Sequence, residues 1–288
     1  MSVDKISLKD FINYVKSNVN FDDEASIRSV EPYLRKLNNN KDLLPEAICN
    51  ELRQSVETFQ SENTYQASGY ILYKDEDFIV RAVCWLPLSK RKFLDPEIDR
   101  GLLVYSAPHD HDFSFMTIGH FGPGYYSDIY EYDYDRVLGL EGESVELKKL
   151  DFDRLSENKV FFFRAGKDVH IQIPPDEISV SLNFIVRKRG SQKFLDQYWF
   201  DVENNKINRA LENDTFRRAK SIDLITALGG DDCFDDLYEL KDTHTCRRTR
   251  ISIMEALTKI KPDLRKQIWS NASNDPDPVI RHAASSNL

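Results

Sequence analysis

Between about residues 64 and 200 the apolar pattern of this chain breaks repeatedly into runs no longer than a strand, and this constrains its fold more than any other feature. Residues 65–87 read as a hairpin, with Lys74-Asp75-Glu76-Asp77 between two runs rich in β-branched and aromatic residues. Segments 101–108, 113–121, 127–133, 144–151, 159–166, 169–174 and 178–187 read as further strands. Turn signals such as Gly122-Pro123-Gly124 and Pro174-Pro175-Asp176 divide them. Many short strands with no long helix between them predict an antiparallel barrel or sandwich.

Both flanks change to a helical period. In 7–19, Ser7 stands three residues before Asp10, as in a capping box, and Leu8, Phe11, Ile12 and Val15 recur at helical spacing. Segments 24–40 and 43–60 continue the pattern, the second with Pro45 near its start, where proline is tolerated. After about 205 the chain turns helical again, with two amphipathic pieces in 247–288. Asp275-Pro276-Asp277-Pro278 and the run after it resemble the start of a HEAT-type helical repeat, and 243–257 is similar to another such unit. An α+β chain in three regions is expected: N-terminal helices over 1–62, a β-barrel over 63–203 and a C-terminal helical region over 204–288.

Composition narrows the class of partner. The 288 residues carry a net charge of -9, so no general attraction to nucleic acid or to an anionic membrane is expected. The residues after Met1 lack the apolar core of a signal peptide, and nowhere do 18 apolar residues run together. Cys49, Cys84, Cys233 and Cys246 form no CxxC pair, which fits reduced thiols in a cytoplasm better than a zinc ribbon or a disulfide framework.

The chemistry concentrates at His109-Asp110-His111 and at His170, which lies on another strand-like run. Side chains on alternate residues of an extended segment point the same way, so His109 and His111 share a face. A third imidazole brought in by barrel closure would complete a facial metal triad with positions open for water, dioxygen or substrate. The competing reading makes the first two exposed loop residues after Pro108. Ferrous iron suits three neutral imidazoles and an oxidation; zinc or another divalent metal fits the same ligands with hydrolytic or Lewis-acid chemistry.

Residues 64–190 resemble the cupin superfamily, small β-barrels of the double-stranded β-helix type that hold a metal inside. The resemblance is carried by Gly101, His109-Asp110-His111 and Gly124 as a first motif. Gly166, His170 and the strand running to Asn183 form the second. Phe78 to Trp85, Asp168-Val169-His170 and the closing Ser179 to Leu182 look like the three-histidine thiol dioxygenases within that superfamily. The resemblance implies His109, His111 and His170 as iron ligands. The chain departs from that branch around the substrate: Asn183 stands where a catalytic histidine is expected, and no arginine occurs near Tyr70 to Tyr73. The glutamate of the first motif should fall where Phe115 and Met116 stand, which leaves His120 or Glu131 as candidates for a fourth ligand. A histidine in the wall of the barrel is the preferred reading of His120.

Several other residues are candidates for the site. Asn183 would orient a ligand or the substrate, and Tyr130 or Tyr132 would line the pocket. Arg81 or Arg164 would grip a substrate carboxylate if either points inward. Asp110 and Asp112 flank the ligands, but alternation turns them away, toward solvent. A 2-oxoglutarate oxygenase is disfavoured, because no carboxylate follows a histidine at the required spacing. The expected activity is oxidation of a small molecule, such as an amino acid or a derivative, by dioxygen at Fe(II). The alternatives are a redox-neutral cupin isomerase or lyase, and a non-catalytic ligand-sensing protein with its helical ends available for homodimer contacts.

Overall fold

The computed structural model describes residues 4–53, 58–61, 63, 68–88, 103–187, 195–211 and 214–288. Gly101, which belongs to the first motif of the resemblance, lies outside them, as do the start of the expected first hairpin strand and part of the third N-terminal helical run. Contacts divide the chain into two compact units, one of residues 1–136 and 141–209, the other of residues 137–140 and 210–288. No described helix is long and apolar enough to cross a membrane.

The first unit begins with helices α1 (Leu8–Asn18), α2 (Glu24–Arg28), α3 (Glu31–Asn38) and α4 (Leu43–Leu52). The expected capping box starts α1: the Ser7 hydroxyl accepts from the Asp10 amide at 3.1 Å, and the Asp10 carboxylate accepts from the Ser7 amide at 3.4 Å. Ten strands follow: β1 (Gly69–Lys74), β2 (Phe78–Trp85), β3 (Phe115–Phe121), β4 (Tyr126–Glu131), β5 (Lys148–Arg154), β6 (Val160–Phe163), β7 (Asp168–Ile173), β8 (Ser179–Val186), β9 (Tyr198–Asp201) and β10 (Lys206–Ala210).

The strands form one antiparallel sheet in the order β1-β2-β8-β3-β6 and a second in the order β5-β4-β7. His109 bridges β7 through His170 and β9 through Trp199, so the short pair β9-β10 extends the second sheet by way of residue 109. Among the described residues the sheets do not close into the barrel that the sequence predicts; they lie face to face as a sandwich. The described part of the run expected as a strand, 103–108, is not one: Val104 and Ser106 adopt left-handed φ values of 58° and 57° and bend it.

Strand alternation gives the five-stranded sheet two different faces. Phe78, Val80, Ala82, Met116, Ile118, Leu182 and Phe184 face outward and are covered by Phe11, Val15, Ile27, Leu34 and Leu37 of the N-terminal helices. Ile79, Val83, Trp85, Phe115, Phe163 and Ile185 face inward, with Ile129 of β4 packed against them. Truncating Phe11 or Phe184, both fully buried, would cost about 3–5 kcal/mol through lost transfer energy and a cavity. In the turn before β4, Gly122 and Gly124 have φ of 80° and 82°, and a Cβ on Gly124 would stand 2.0 Å from the Leu155 carbonyl.

The second unit is helical, with α5 (Asp214–Ala227), α6 (Phe234–Thr243), α7 (Arg247–Ile260), α8 (Arg265–Ala272) and α9 (Pro278–Asn287). Its core gathers Ile222, Leu237, Ile253, Leu257, Trp269 and Ile280. Asp277 caps α9 by accepting from the Val279 amide at 2.8 Å, and Pro278 occupies the first turn, where its missing N–H has no partner to lose.

Candidate metal centre

The three histidines come together between the sheets. His170 sits on the inner face of β7, and residues 109–111 lie beside it as an extended segment, with reciprocal backbone hydrogen bonds between His109 and His170 at 3.2 and 2.9 Å. One ring nitrogen from each lies within 4.8 Å of those of the other two. Nε2 of His170 is 3.1 Å from Nε2 of His109 and 3.1 Å from Nε2 of His111. Two imidazole nitrogens bound at about 2.1 Å to one ion and at right angles would stand about 3.0 Å apart, so the spacing suits adjacent ligands of a divalent cation.

Proton accounting points the same way. The Nδ1–H of His109 donates to the Ala107 carbonyl at 2.8 Å, which leaves its Nε2 as a bare lone pair. Nε2 of His170 also has the Gln172 amide at 3.2 Å, so three polar atoms crowd one ring nitrogen that offers a single lone pair or a single proton. A cation among the lone pairs resolves that conflict. Burial pushes the His109 imidazole down to about 4 and those of His111 and His170 well below the ordinary range; the charge of His109 is a lesser cause for the other two, and those of His170 and Arg81 are lesser causes for His111. All three are therefore neutral near pH 7, as metal ligation requires.

The segment between the ligands is anchored from behind. Asp110 points away from the histidines as alternation demands, but the expected solvation is wrong: it is fully buried. Its carboxylate accepts from the Tyr132 hydroxyl at 2.6 Å and from the Tyr198 amide at 2.6 Å. Burial raises the Asp110 carboxyl to about 7, against the opposing effect of those hydrogen bonds. Tyr132 thus holds the ligand segment through Asp110 and does not line a pocket beside the histidines. Asp112 is buried too. Nδ1 of His111 lies 3.2 Å from the side-chain amide nitrogen of Gln197, which also donates to the Asp110 carbonyl at 3.3 Å and so ties the His111 ring to the backbone of the ligand segment.

The other sequence candidates separate cleanly. Arg81 shares strand parity with Ile79, Val83 and Trp85 and acts electrostatically on both His111 and Tyr125, so it faces the space between the sheets. Asn183 is paired across the sheet with Arg81 and Thr117, and its side-chain oxygen accepts from the hydroxyls of Thr117 at 2.7 Å and Ser181 at 3.2 Å. Ser181 in turn accepts from the Trp85 indole at 3.0 Å. Asn183 therefore belongs to a buried network on the sheet opposite His170, and its hydrogen bonds run to hydroxyls and to no imidazole.

Arg164 is committed elsewhere: it binds Asp168, and its Nη2 donates to Glu131 at 2.6 Å. That ion pair corrects its assignment to substrate and also removes Glu131 from the fourth-ligand candidates. Tyr130 has the opposite parity from Ile129, which faces the core, and Lys149 lies over its ring at 5.7 Å on the outer side of the sheet. It does not reach the pocket. His120 turns to α3, where its Nδ1 lies 2.9 Å from the Asn38 side-chain oxygen, and is a wall residue as preferred. Aromatic rings enclose the histidines: the ring of Phe163 is 4.4 Å from that of His170, and those of Phe113 and Phe115 are 4.7 and 5.0 Å from that of His111.

No family model and no curated protein matches the chain. Solved structures similar to it include hydroquinone 1,2-dioxygenase from Sphingomonas sp. TTNP3, at 8% identity over 46% of this chain and 72% of that one, with a TM-score of 0.29. A cupin domain from Bordetella pertussis is 10% identical over 43% of this chain and 96% of that one, with a TM-score of 0.25. The DMSP lyase DddQ from Ruegeria pomeroyi is 10% identical over 47% and 52%, with a TM-score of 0.26. Each likeness reaches less than half of this chain, and the chemistry of the site is carried by its own residues.

Proposed function

We propose that the chain is a cupin-type enzyme that uses dioxygen and ferrous iron, held by His109, His111 and His170, to oxidise a small carboxylate-bearing molecule such as an amino acid or a derivative. The convergence of three neutral Nε2 atoms, two pairs of them 3.1 Å apart, carries the reading. A bound ferrous ion would supply Lewis acidity toward the substrate's donor atoms and an accessible change of oxidation state for dioxygen. Neutral ligands leave the ion its full positive charge, which favours an anionic substrate.

The chain's own residues would do the rest. Arg81, which acts on His111 from the opposite sheet, would bind the substrate carboxylate with its planar fork. The network of Thr117, Asn183, Ser181 and Trp85 fixes the inner surface beside Arg81. Phe113, Phe115 and Phe163 keep bulk water from the imidazoles and so strengthen each polar contact in the site. In the same proposal the protein works in the reducing cytoplasm with its four cysteines as thiols. The helical unit, read as HEAT-like, offers a surface to a partner or a second copy.

Metal analysis of protein purified without added metal, followed by oxygen-electrode screening of amino acids against the iron-loaded protein, tests the reading. One iron per chain with substrate-dependent oxygen uptake supports it. Zinc with no oxygen uptake would replace it by a redox-neutral lyase or isomerase, and a chain that retains no divalent metal would replace it by a ligand-binding protein.

A further inference from the structure

Gln172 lies two residues after His170 on β7, so strand alternation puts both side chains on the inner face. Its side chain is 6% exposed. One amide atom stands 3.2 Å from Nε2 of His170, almost the distance that separates that nitrogen from each of the other two imidazoles. The other amide atom, the carbonyl oxygen Oε1, is buried with no hydrogen-bond partner. Buried polar atoms are normally satisfied, so an amide with an orphaned oxygen this close to three converging lone pairs calls for an explanation.

We infer that Gln172 is the fourth protein ligand of the metal, binding through its side-chain carbonyl oxygen. The inference rests on the three-histidine reading and extends it. With Nε2 toward His170, the amide would donate a proton to the lone pair that the metal needs, and Oε1 would stay unpaired. A half-turn about the last side-chain torsion exchanges the two atoms, giving the oxygen a partner and putting the amide nitrogen where Oε1 now stands. The carbonyl oxygen then faces the convergence point, where a hard oxygen donor suits a divalent ion. The spacing of about 3 Å from His170 fits two neighbouring positions of one coordination sphere. A neutral amide, unlike the glutamate that fills a fourth position in many metal sites, leaves the positive charge undiminished. The site then keeps its preference for an anionic substrate while two positions remain open in an octahedral arrangement.

Cobalt(II) serves as the probe, because its visible absorption reports coordination number and its affinity is measured by competition with a chelator. Wild type, Gln172→Leu, Gln172→Glu and His170→Ala are titrated, with circular dichroism as the check on folding. The expected result is that Gln172→Leu binds cobalt about tenfold to a hundredfold more weakly with altered absorption bands, and that Gln172→Glu binds at least as tightly as wild type. If Gln172→Leu keeps wild-type affinity and absorption while His170→Ala loses cobalt, the histidine site stands and the fourth ligand is overturned. If His170→Ala binds cobalt as well as wild type does, the histidine site falls and the fourth ligand falls with it. Should Gln172→Leu fail to fold, Gln172→Glu decides: a carboxylate in the coordination sphere must change the absorption bands, and an unchanged spectrum overturns the inference.

Discussion

His120, His109 and His170 are buried and His111 is partly so, and desolvation depresses the basicity of all four, yet their polar surroundings differ in kind. The His120 ring meets an amide oxygen of Asn38, so its demand for a partner is met within the protein and it pins α3 to β3. In the trio, ring nitrogens face ring nitrogens, Nδ1 of His170 has no hydrogen-bond partner among the described residues, and no distribution of protons satisfies every contact. A buried imidazole with a complementary neighbour is a structural element. Imidazoles that converge without one form a candidate site for a cation.

The strongest way to break this contrast is His170→Ala, which should lower metal affinity more than about a hundredfold, read by metal analysis after dialysis, with circular dichroism unchanged. His120→Gln should leave metal content intact; equal metal loss in the two variants would erase the distinction. Next in size, Arg81→Met should reduce kcat/KM for a carboxylate substrate about tenfold to a hundredfold without releasing the metal, the worth of one charge-assisted hydrogen bond. A variant that lost metal instead would make Arg81 a support of the histidines.

Tyr132→Phe removes the hydroxyl that donates to the buried Asp110 carboxylate beside the Tyr198 amide and should destabilise the chain by about 1–3 kcal/mol in denaturant unfolding. Its metal affinity should fall by less than His170→Ala costs. The smallest effect concerns pH. Burial pushes His120 down to about 4 from an ordinary 6.5, so between these values the unfolded chain binds the extra proton. Stability from this group is complete above about pH 6.5 and is lost as pH falls toward 4. His120→Gln should flatten the stability profile across that window relative to wild type by no more than about 1.4 kcal/mol per pH unit. A steeper profile in the variant would contradict the assignment.

Much of this organisation was legible in the sequence because it rests on alternation. The period of two placed His109 and His111 on one face. The capping box at Ser7 and the Gly122-Pro123-Gly124 turn read directly, since both are local chemistry. What failed depended on partners distant in the chain. Arg164 and Glu131 look available until the fold pairs them across 33 residues, and Asp110 looks solvated until β9 arrives 88 residues later to cover it. Tyr130 was misplaced by ignoring parity with Ile129, and 101–108 by trusting apolar character where two left-handed residues bend the backbone. Gln172 was within reach of the same alternation rule that places it beside His170, but an uncharged amide attracts no notice until its neighbours are known.

Asp110 makes the ligand segment a lever with two loaded ends. Whatever grips His109 and His111 on one side of the backbone also draws on a carboxylate fastened to the Tyr198 amide and the Tyr132 hydroxyl on the other. A cation bound at the candidate centre would therefore be coupled to the docking of β9 through one short backbone segment. Any change in β9 is by the same route a change to the segment that carries His109 and His111.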